Sequence, residues 1–412
     1  MSLTQRRRGG KAAAKVAGTK EPATAQNAGA AAESKLQVGG VSVILVYLAL
    51  LAAVMKLLQE ETSSGTPKSS AEIQSIAVAS RIAADAVTSL ETPLRTLSFS
   101  STDLAAEGED NLTAQALDVK IHEFLAAQGA TAEPLLYGGF TGSVLRPTEW
   151  PTGQRICNAA DAAIGSLRRS LFPGLPPLPF CGFPAYSCIS VNSEVCHGVP
   201  SAQPLRAGDL VKVDIAARKD GFIGDTCVTF VAGGKEAAET HALQIAEVAR
   251  ESLFLGILAA GSANRTFGDI GYAVQMHAKV EGLVVNTMFS GHGVGRSFHE
   301  PPRIHHTGSP GRGGTIKENQ VFTIEPILTD GNGLTTVAGD GWTVLTRDGS
   351  LSAQWEHTVA TTKDSLRILT FRQGEMWPDR LASKEERAIL FARAGYDAAF
   401  SARLEASAQL LM

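Results

Sequence analysis

The sequence predicts an α/β fold of the α+β kind, because a strong β-hairpin pattern and helical patterns occupy separate parts of one chain. From Val211 to Val231, small, β-branched and aromatic residues flank Asp220-Gly221, a pair typical of a two-residue type I′ turn. From Ala71 to Leu90, apolar residues recur at helical spacing. A second helix is expected to begin at Thr113, which is a suitable N-cap.

The hairpin brings two carboxylates together. If its turn pairs Lys219 with Phe222, Asp214 lies opposite Cys227, and Asp225 lies two residues away on the same face. Diagonal neighbours on one face are roughly 7 to 8 Å apart at the backbone, which is close enough to share metal ions. Burying two like charges without a cation would be very costly. A solvated hairpin with two outward-facing carboxylates remains open at this point.

Composition bounds the class of protein. A chain of 412 residues can form one large domain or two smaller ones. Its net charge of −4 and pI near 6.2 argue against nucleic acid as the main partner. The cysteines are odd in number and form no CxxC pair, so we interpret them as reduced, buried thiols. They are Cys157, Cys181, Cys188, Cys196 and Cys227.

The N-terminal region divides into three segments. Residues 1–35 are rich in alanine, glycine and basic residues and are expected to be disordered. Residues 36–58 form a candidate transmembrane or targeting helix, because Leu36 to Met55 contain no charge and a helix of that length spans a bilayer. Residues 59–70 have the composition of a linker.

The uncharged stretch leaves the localisation open. If this stretch is a membrane anchor, the basic N-terminal segment should lie in the cytosol and the catalytic domain on the other side of the membrane. Reduced cysteines fit poorly with that location. A buried helix and a cleaved mitochondrial or plastid targeting signal, which would leave an organellar or cytosolic protein, are the alternatives.

We expect the catalytic domain to comprise residues 71–370. One further segment interrupts this domain, and another follows it. Residues 138–179 contain six prolines and are predicted to be a surface insertion. Residues 371–412 are predicted to be a helical extension. Within it, Ser383 and Glu386 form a capping box that opens one amphipathic helix through about Leu411.

Three more potential metal ligands follow the hairpin, and each lies beside apolar or β-branched residues. They are His292, Glu325 and Glu356. Taken alone, each of these residues could instead be structural: a hydrogen-bonded histidine in the core, or an acid paired with an arginine. Together with Asp214 and Asp225 they supply oxygen ligands and one imidazole, which suits a pair of divalent ions better than a thiolate zinc site. We predict two divalent ions, with Co, Mn, Fe and Zn all open.

These residues fall within blocks that resemble the methionine aminopeptidases, type I, of the pita-bread metallopeptidase fold. The blocks are SVNSEVCHGVP from Ser190 to Pro200, the hairpin, SGHGVGRSFHEPP, FTIEP and DGWTVLTRDGSLSAQWEHTV. The resemblance extends from about Ile73 to Thr370. It implies a pseudo-symmetric fold, with a curved antiparallel sheet flanked by helices and the metals at its centre.

The resemblance also implies a role for each ligand. Asp214 would bind one metal, His292 and Glu325 the other, and Asp225 and Glu356 would bridge both. A water held between the ions would become the nucleophile. The enzyme would be a monomer that removes the initiator methionine from N-terminal methionyl peptides or nascent chains whose second residue is small.

By the same resemblance, His197 and His299 would donate hydrogen bonds to the scissile peptide. The methionine side chain needs an apolar pocket. Its implied lining is Phe180, Phe183, Cys188, Phe298 and Trp342. Near Phe180 the sequence departs from the family pattern, which leaves the shape of the pocket open.

Two alternatives remain. Prolidase and aminopeptidase P share the fold and the ligand pattern, but CHGVP before the hairpin and QWEHT favour the methionine enzyme. A non-catalytic binding protein with the same fold would be expected to lack ligands, and this sequence has all five with both histidines.

Overall fold

The computed structural model describes residues 65–97, 112–135, 137, 182–261 and 264–412. They belong to one compact unit, Leu57–Met412. The predicted disordered start, the stretch from Leu36 to Met55 and the proline-rich insertion at 138–179 lie outside the described residues.

An antiparallel sheet of nine strands forms the centre of the fold. The strands of the described residues are β1 Thr131–Ala132, β2 Cys188–Val191, β3 Glu194–Cys196, β4 Leu210–Lys219, β5 Phe222–Val231, β6 Val284–Val285, β7 Gly291–Gly293, β8 Glu300–Ile304, β9 Val321–Ile324, β10 Ile327–Thr329, β11 Thr335–Val337, β12 Val344–Thr346, β13 Ser352–Gln354, β14 Glu356–Thr361 and β15 Leu366–Ile368. The order in the large sheet is β1-β4-β5-β14-β9-β7-β8, with β2 on β4 and β15 on β14. Two three-stranded sheets, β13-β10-β6 and β11-β12-β3, complete the strand pairing of the described residues.

The predicted hairpin is confirmed in type and register. Strands β4 and β5 pair Lys219 with Phe222 and Asp214 with Cys227. Asp220 and Gly221 have φ values of 52° and 81°. Positive φ at both central residues is the requirement of a type I′ turn, so the turn fixes the register that brings Asp214 and Asp225 to one face.

Helices pack on the sheet from both halves of the chain. Those in the described residues are α1 Ser70–Ser89, α2 Glu91–Arg95, α3 Ala114–Ala127, α4 Thr240–Gly261, α5 Phe267–Val280, α6 Asp379–Ala382, α7 Lys384–Arg393 and α8 Ala398–Leu411. Helix α1 packs on β4 and β5, and α4 packs on α5. The predicted N-cap of α3 is confirmed, because the Thr113 hydroxyl accepts a hydrogen bond from the Ala116 amide at 3.0 Å.

One part of the predicted fold class, the transmembrane helix, is wrong. Among the described residues, no helix has the length and apolar character needed to cross a membrane. The longest of these helices, α4, has 22 residues but carries Glu247, Arg250 and Glu251. Charges of that kind are costly within a bilayer.

The C-terminal extension also differs from its prediction. The capping box of Ser383 and Glu386 is present, but the helix ends at Arg393 instead of continuing to Leu411. Gly395 has a φ of 73°, and Asp397 caps a new helix, α8. The chain therefore turns back on itself, which places the buried Phe400 of α8 in the same core cluster as residues of α4 and α5.

Candidate active site

One cavity of about 420 Å³ contains every predicted ligand and both predicted catalytic histidines. These residues are Asp214, Asp225, His292, Glu325, Glu356, His197 and His299. The predicted pocket residues Phe183, Cys188, Phe298 and Trp342 line the same cavity. Phe180 lies outside the described residues.

The five predicted ligands come from five neighbouring strands. In the order β4-β5-β14-β9-β7, these strands contribute one ligand each, and the ligand of β9 is the residue directly after the strand. In that order the ligands are Asp214, Asp225, Glu356, Glu325 and His292. The sheet thus brings five ligands from four separated sequence blocks into one row of donors.

The distances between donor atoms are those of a metal site. One ligand atom each of Asp225, His292 and Glu356 lies within 4.8 Å of the others. His292 Nε2 is 3.6 Å from Asp225 Oδ2 and 3.6 Å from Glu325 Oε1. These separations are too long for hydrogen bonds. They suit two atoms that both ligate one ion at about 2 Å.

Neighbouring polar groups orient the ligands. His292 Nδ1 is 3.1 Å from the Gly293 carbonyl and donates to it, so Nε2 presents its lone pair to the centre. Burial lowers the pKa of His292 to about 4, which keeps the ring neutral. The Thr323 hydroxyl accepts from the His292 amide and donates to Glu325 Oε1 at 2.8 Å, and so links two ligands.

The four carboxyl groups of the site would be stabilised by bound cations. Burial raises the pKa of Asp214, and burial together with neighbouring negative charge raises the pKa of Asp225 and of Glu356. Burial likewise raises the pKa of Glu325. Asp225 Oδ1 is buried and has no hydrogen-bond partner among the residues that the structure describes. Since unpaired buried charge is strongly unfavourable, this oxygen-rich set with one imidazole fits divalent metal ions.

The two histidines lie beside this centre. The ring of His299 is 4.2 Å from that of His292, measured between centroids. His197 packs edge-on against Phe289, and its φ of 53° is uncommon for a residue with a side chain. Burial lowers the pKa of His197 to about 4, so the neutral ring can donate one hydrogen bond near neutral pH.

Aromatic rings form much of the pocket. Phe183 and Trp342 meet edge to face at 5.5 Å. Sequence reasoning missed Tyr137, whose ring is 5.2 Å from Phe298, and Met288, which is 72% exposed at the cavity. Met288 comes shortly before the SGHG block, and Tyr137 comes directly before GGFTGS, a partial match to the family's pocket segment, so both had a usable signal.

The fold and the donor set define a metallopeptidase, and comparisons agree. Metallopeptidase family M24 matches residues 151–363, more than half of the chain. Methionine aminopeptidase A of Synechocystis is 42% identical over 195 residues, which cover 47% of this chain and 76% of that protein. Methionine aminopeptidase of Rickettsia prowazekii is also 42% identical over 195 residues, covering 47% of this chain and 74% of that protein.

A crystal structure of methionine aminopeptidase from Rickettsia prowazekii covers 74% of this chain and 99% of its own, with 29% identity and a TM-score of 0.58. The chain belongs to metallopeptidase family M24. The predicted resemblance and the curved antiparallel pita-bread fold are confirmed, and the protein is a metal-dependent aminopeptidase.

Proposed function

We propose that this enzyme removes the N-terminal methionine from polypeptides whose second residue is small. The observation that carries the proposal is that one cavity combines the five-ligand set, two histidines and an aromatic pocket. The relatives named above are methionine aminopeptidases, which supports the same substrate. All of these residues come from one chain, in keeping with a monomer whose catalytic domain is residues 71–370.

The five ligands divide between two ions in this proposal. Asp214 would hold one, His292 and Glu325 would hold the other, and Asp225 and Glu356 would be shared by both. Divalent ions held there would supply Lewis-acid chemistry and lower the pKa of a bound water.

The remaining residues bind and orient the substrate. Phe183, Trp342 and the buried Cys188 enclose the methionine side chain, whose thioether needs little hydrogen bonding. His197 and His299 donate hydrogen bonds that strengthen as negative charge develops on the carbonyl oxygen. Both histidines line the same cavity as the metal ligands, so the scissile bond would lie in a crowded site that favours a small second residue.

The test uses purified protein freed of metal by a chelator and reloaded with Mn²⁺ or Co²⁺. We expect free methionine from Met-Ala-Ser, much less from Met-Trp-Ser, and no cleavage of Gly-Pro. Asp225→Asn should abolish release, whereas Asp220→Asn, an exposed position in the same hairpin, should not. Cleavage of Gly-Pro alone would overturn the proposal in favour of a prolidase.

A further inference from the structure

One of the buried carboxylates outside the metal centre lies in the first half of α3. Asp118 is 7% exposed. Its Oδ1 accepts hydrogen bonds from the Ser187 amide at 2.8 Å, the Ser187 hydroxyl at 2.7 Å and the Tyr186 amide at 3.1 Å. These donors belong to the loop of residues 182–187, which lies 68 residues further along the chain. The carboxylate therefore fastens this loop to α3.

A second contact joins the same helix and loop. His122 follows Asp118 by four residues, so both side chains project from one face of α3. The ring of His122 stacks on Tyr186 with centroids 3.9 Å apart and planes 12° apart. Helix α3 thus holds two consecutive loop residues: Ser187 by hydrogen bonds, and Tyr186 by a hydrogen bond and by ring stacking.

The electrostatics show how far Asp118 depends on this loop. Burial raises the pKa of its carboxyl to about 6, and the hydrogen bonds from Ser187 and Tyr186 act in the opposite direction. A buried carboxylate is tolerated when its oxygens are well hydrogen-bonded. The bonds to the loop therefore offset part of the cost of burying this carboxylate.

The attached loop forms one wall of the substrate cavity. Phe183 packs on Trp342 and lines the cavity, and so does Cys188, the first residue of β2. Cys188 pairs with Asp214 across the sheet. Tyr186 and Ser187 lie between Phe183 and Cys188, so holding them fixes both ends of this wall.

We propose that Asp118 and His122 are positioning residues that hold the pocket loop, residues 182–187, and so set the fit of the methionine side chain. The proposal rests on the proposed function, since the ligand of the pocket is the methionine of the substrate. Neither residue touches the substrate cavity. They act through Phe183 and Cys188.

The test compares Asp118→Ala, Asp118→Asn and the matched control Glu123→Ala, an exposed acid on the same helix, in the full metal-loaded chain. Removing a charged hydrogen-bond partner should raise KM for Met-Ala-Ser by at least about tenfold, with kcat changed less than about threefold. Asparagine retains an acceptor oxygen at the Oδ1 position and should restore most of the loss. The control should match the unchanged enzyme.

Hydrogen exchange measured by mass spectrometry provides a readout that does not depend on activity. In Asp118→Ala, peptides spanning residues 182–188 should exchange at least about tenfold faster, while those from β4 and β5 remain unchanged. If Asp118→Ala does not fold, His122→Ala takes its place, with a KM increase of about threefold expected from the lost ring stacking.

An unchanged KM, a loss confined to kcat, or unchanged exchange in the pocket loop would overturn the proposal. If the unaltered enzyme releases no methionine, the proposed function fails. The exchange measurement still decides in that case whether Asp118 holds the loop.

Discussion

Replacing Asp225 with asparagine should have opposite effects on the metal-free and the metal-loaded protein. Asp225 is 3% exposed, and Asn has nearly the same size. The substitution therefore removes a negative charge from the centre with little change in packing. It leaves the other four predicted ligands in place.

The separation of the charges sets the magnitude. Ligand oxygens of Asp225 and Glu356 lie within 4.8 Å of each other. Two ionised carboxylates at that distance repel by about 3.5 kcal/mol at an effective dielectric constant of about 20. Without metal, Asp225→Asn should be more stable by up to that amount at a pH where both groups are ionised. With excess metal, a hundredfold loss of affinity removes about 2.7 kcal/mol of stabilisation.

Thermal unfolding with a chelator and with excess Mn²⁺ measures both effects, alongside methionine release from Met-Ala-Ser. Asp220→Asn is the matched control, because it removes the same charge from the exposed turn of the same hairpin. We expect the control to unfold as the unaltered protein does in both conditions. The reasoning is refuted if Asp225→Asn lowers the stability of the metal-free protein, or if it keeps its turnover.

Three further predictions concern pH, the histidines and the C-terminal extension. Burial raises the pKa of the four site carboxyls. In the metal-free protein their contribution to folding stability should therefore be fully present below about pH 4 and be lost as pH rises through the raised pKa values. Thermal unfolding at a series of pH values measures this loss. His197→Ala and His299→Ala should each lower kcat by about 10²- to 10³-fold in steady-state kinetics, with bound metal unchanged. Phe400→Ala, at a site 2% exposed, should cost about 3 to 5 kcal/mol in denaturant unfolding.

Each of these predictions has a contrasting result. Excess Mn²⁺ should remove this contribution of the four carboxyls, and the same pH dependence of unfolding with and without Mn²⁺ would contradict the assignment. Loss of bound metal in either histidine variant would point to a ligand instead of a hydrogen-bond donor. Leu410→Ala, at a site 63% exposed, serves as the control for Phe400 and should cost less than about 0.5 kcal/mol.

The hairpin turn and the helix N-caps could be predicted from the sequence because each depends on a few neighbouring residues. Asp220-Gly221 demands a type I′ turn, and the turn alone sets which residues of β4 and β5 face each other. The N-caps Thr113 and Ser383 are equally local. These features depend on residues close in sequence, so no knowledge of the tertiary fold was needed.

Long-range arrangement explains the rest. Nothing in the sequence near His292 or Glu356 indicates that five adjacent strands supply one ligand each, because that follows from pairing between distant segments. The attachment of Asp118 to Ser187 was missed for the same reason. The extension was predicted as one helix because its apolar pattern continues, although Gly395 allows the chain to reverse there.

Anomalous diffraction from crystals grown with Mn²⁺ would show whether the site carboxylates and His292 jointly hold two divalent ions. Two peaks are expected, one reached by Asp214 and the other by His292 and Glu325, with Asp225 and Glu356 contacting both. Manganese bound elsewhere, or a single ion that leaves Asp214 without a metal, would contradict it.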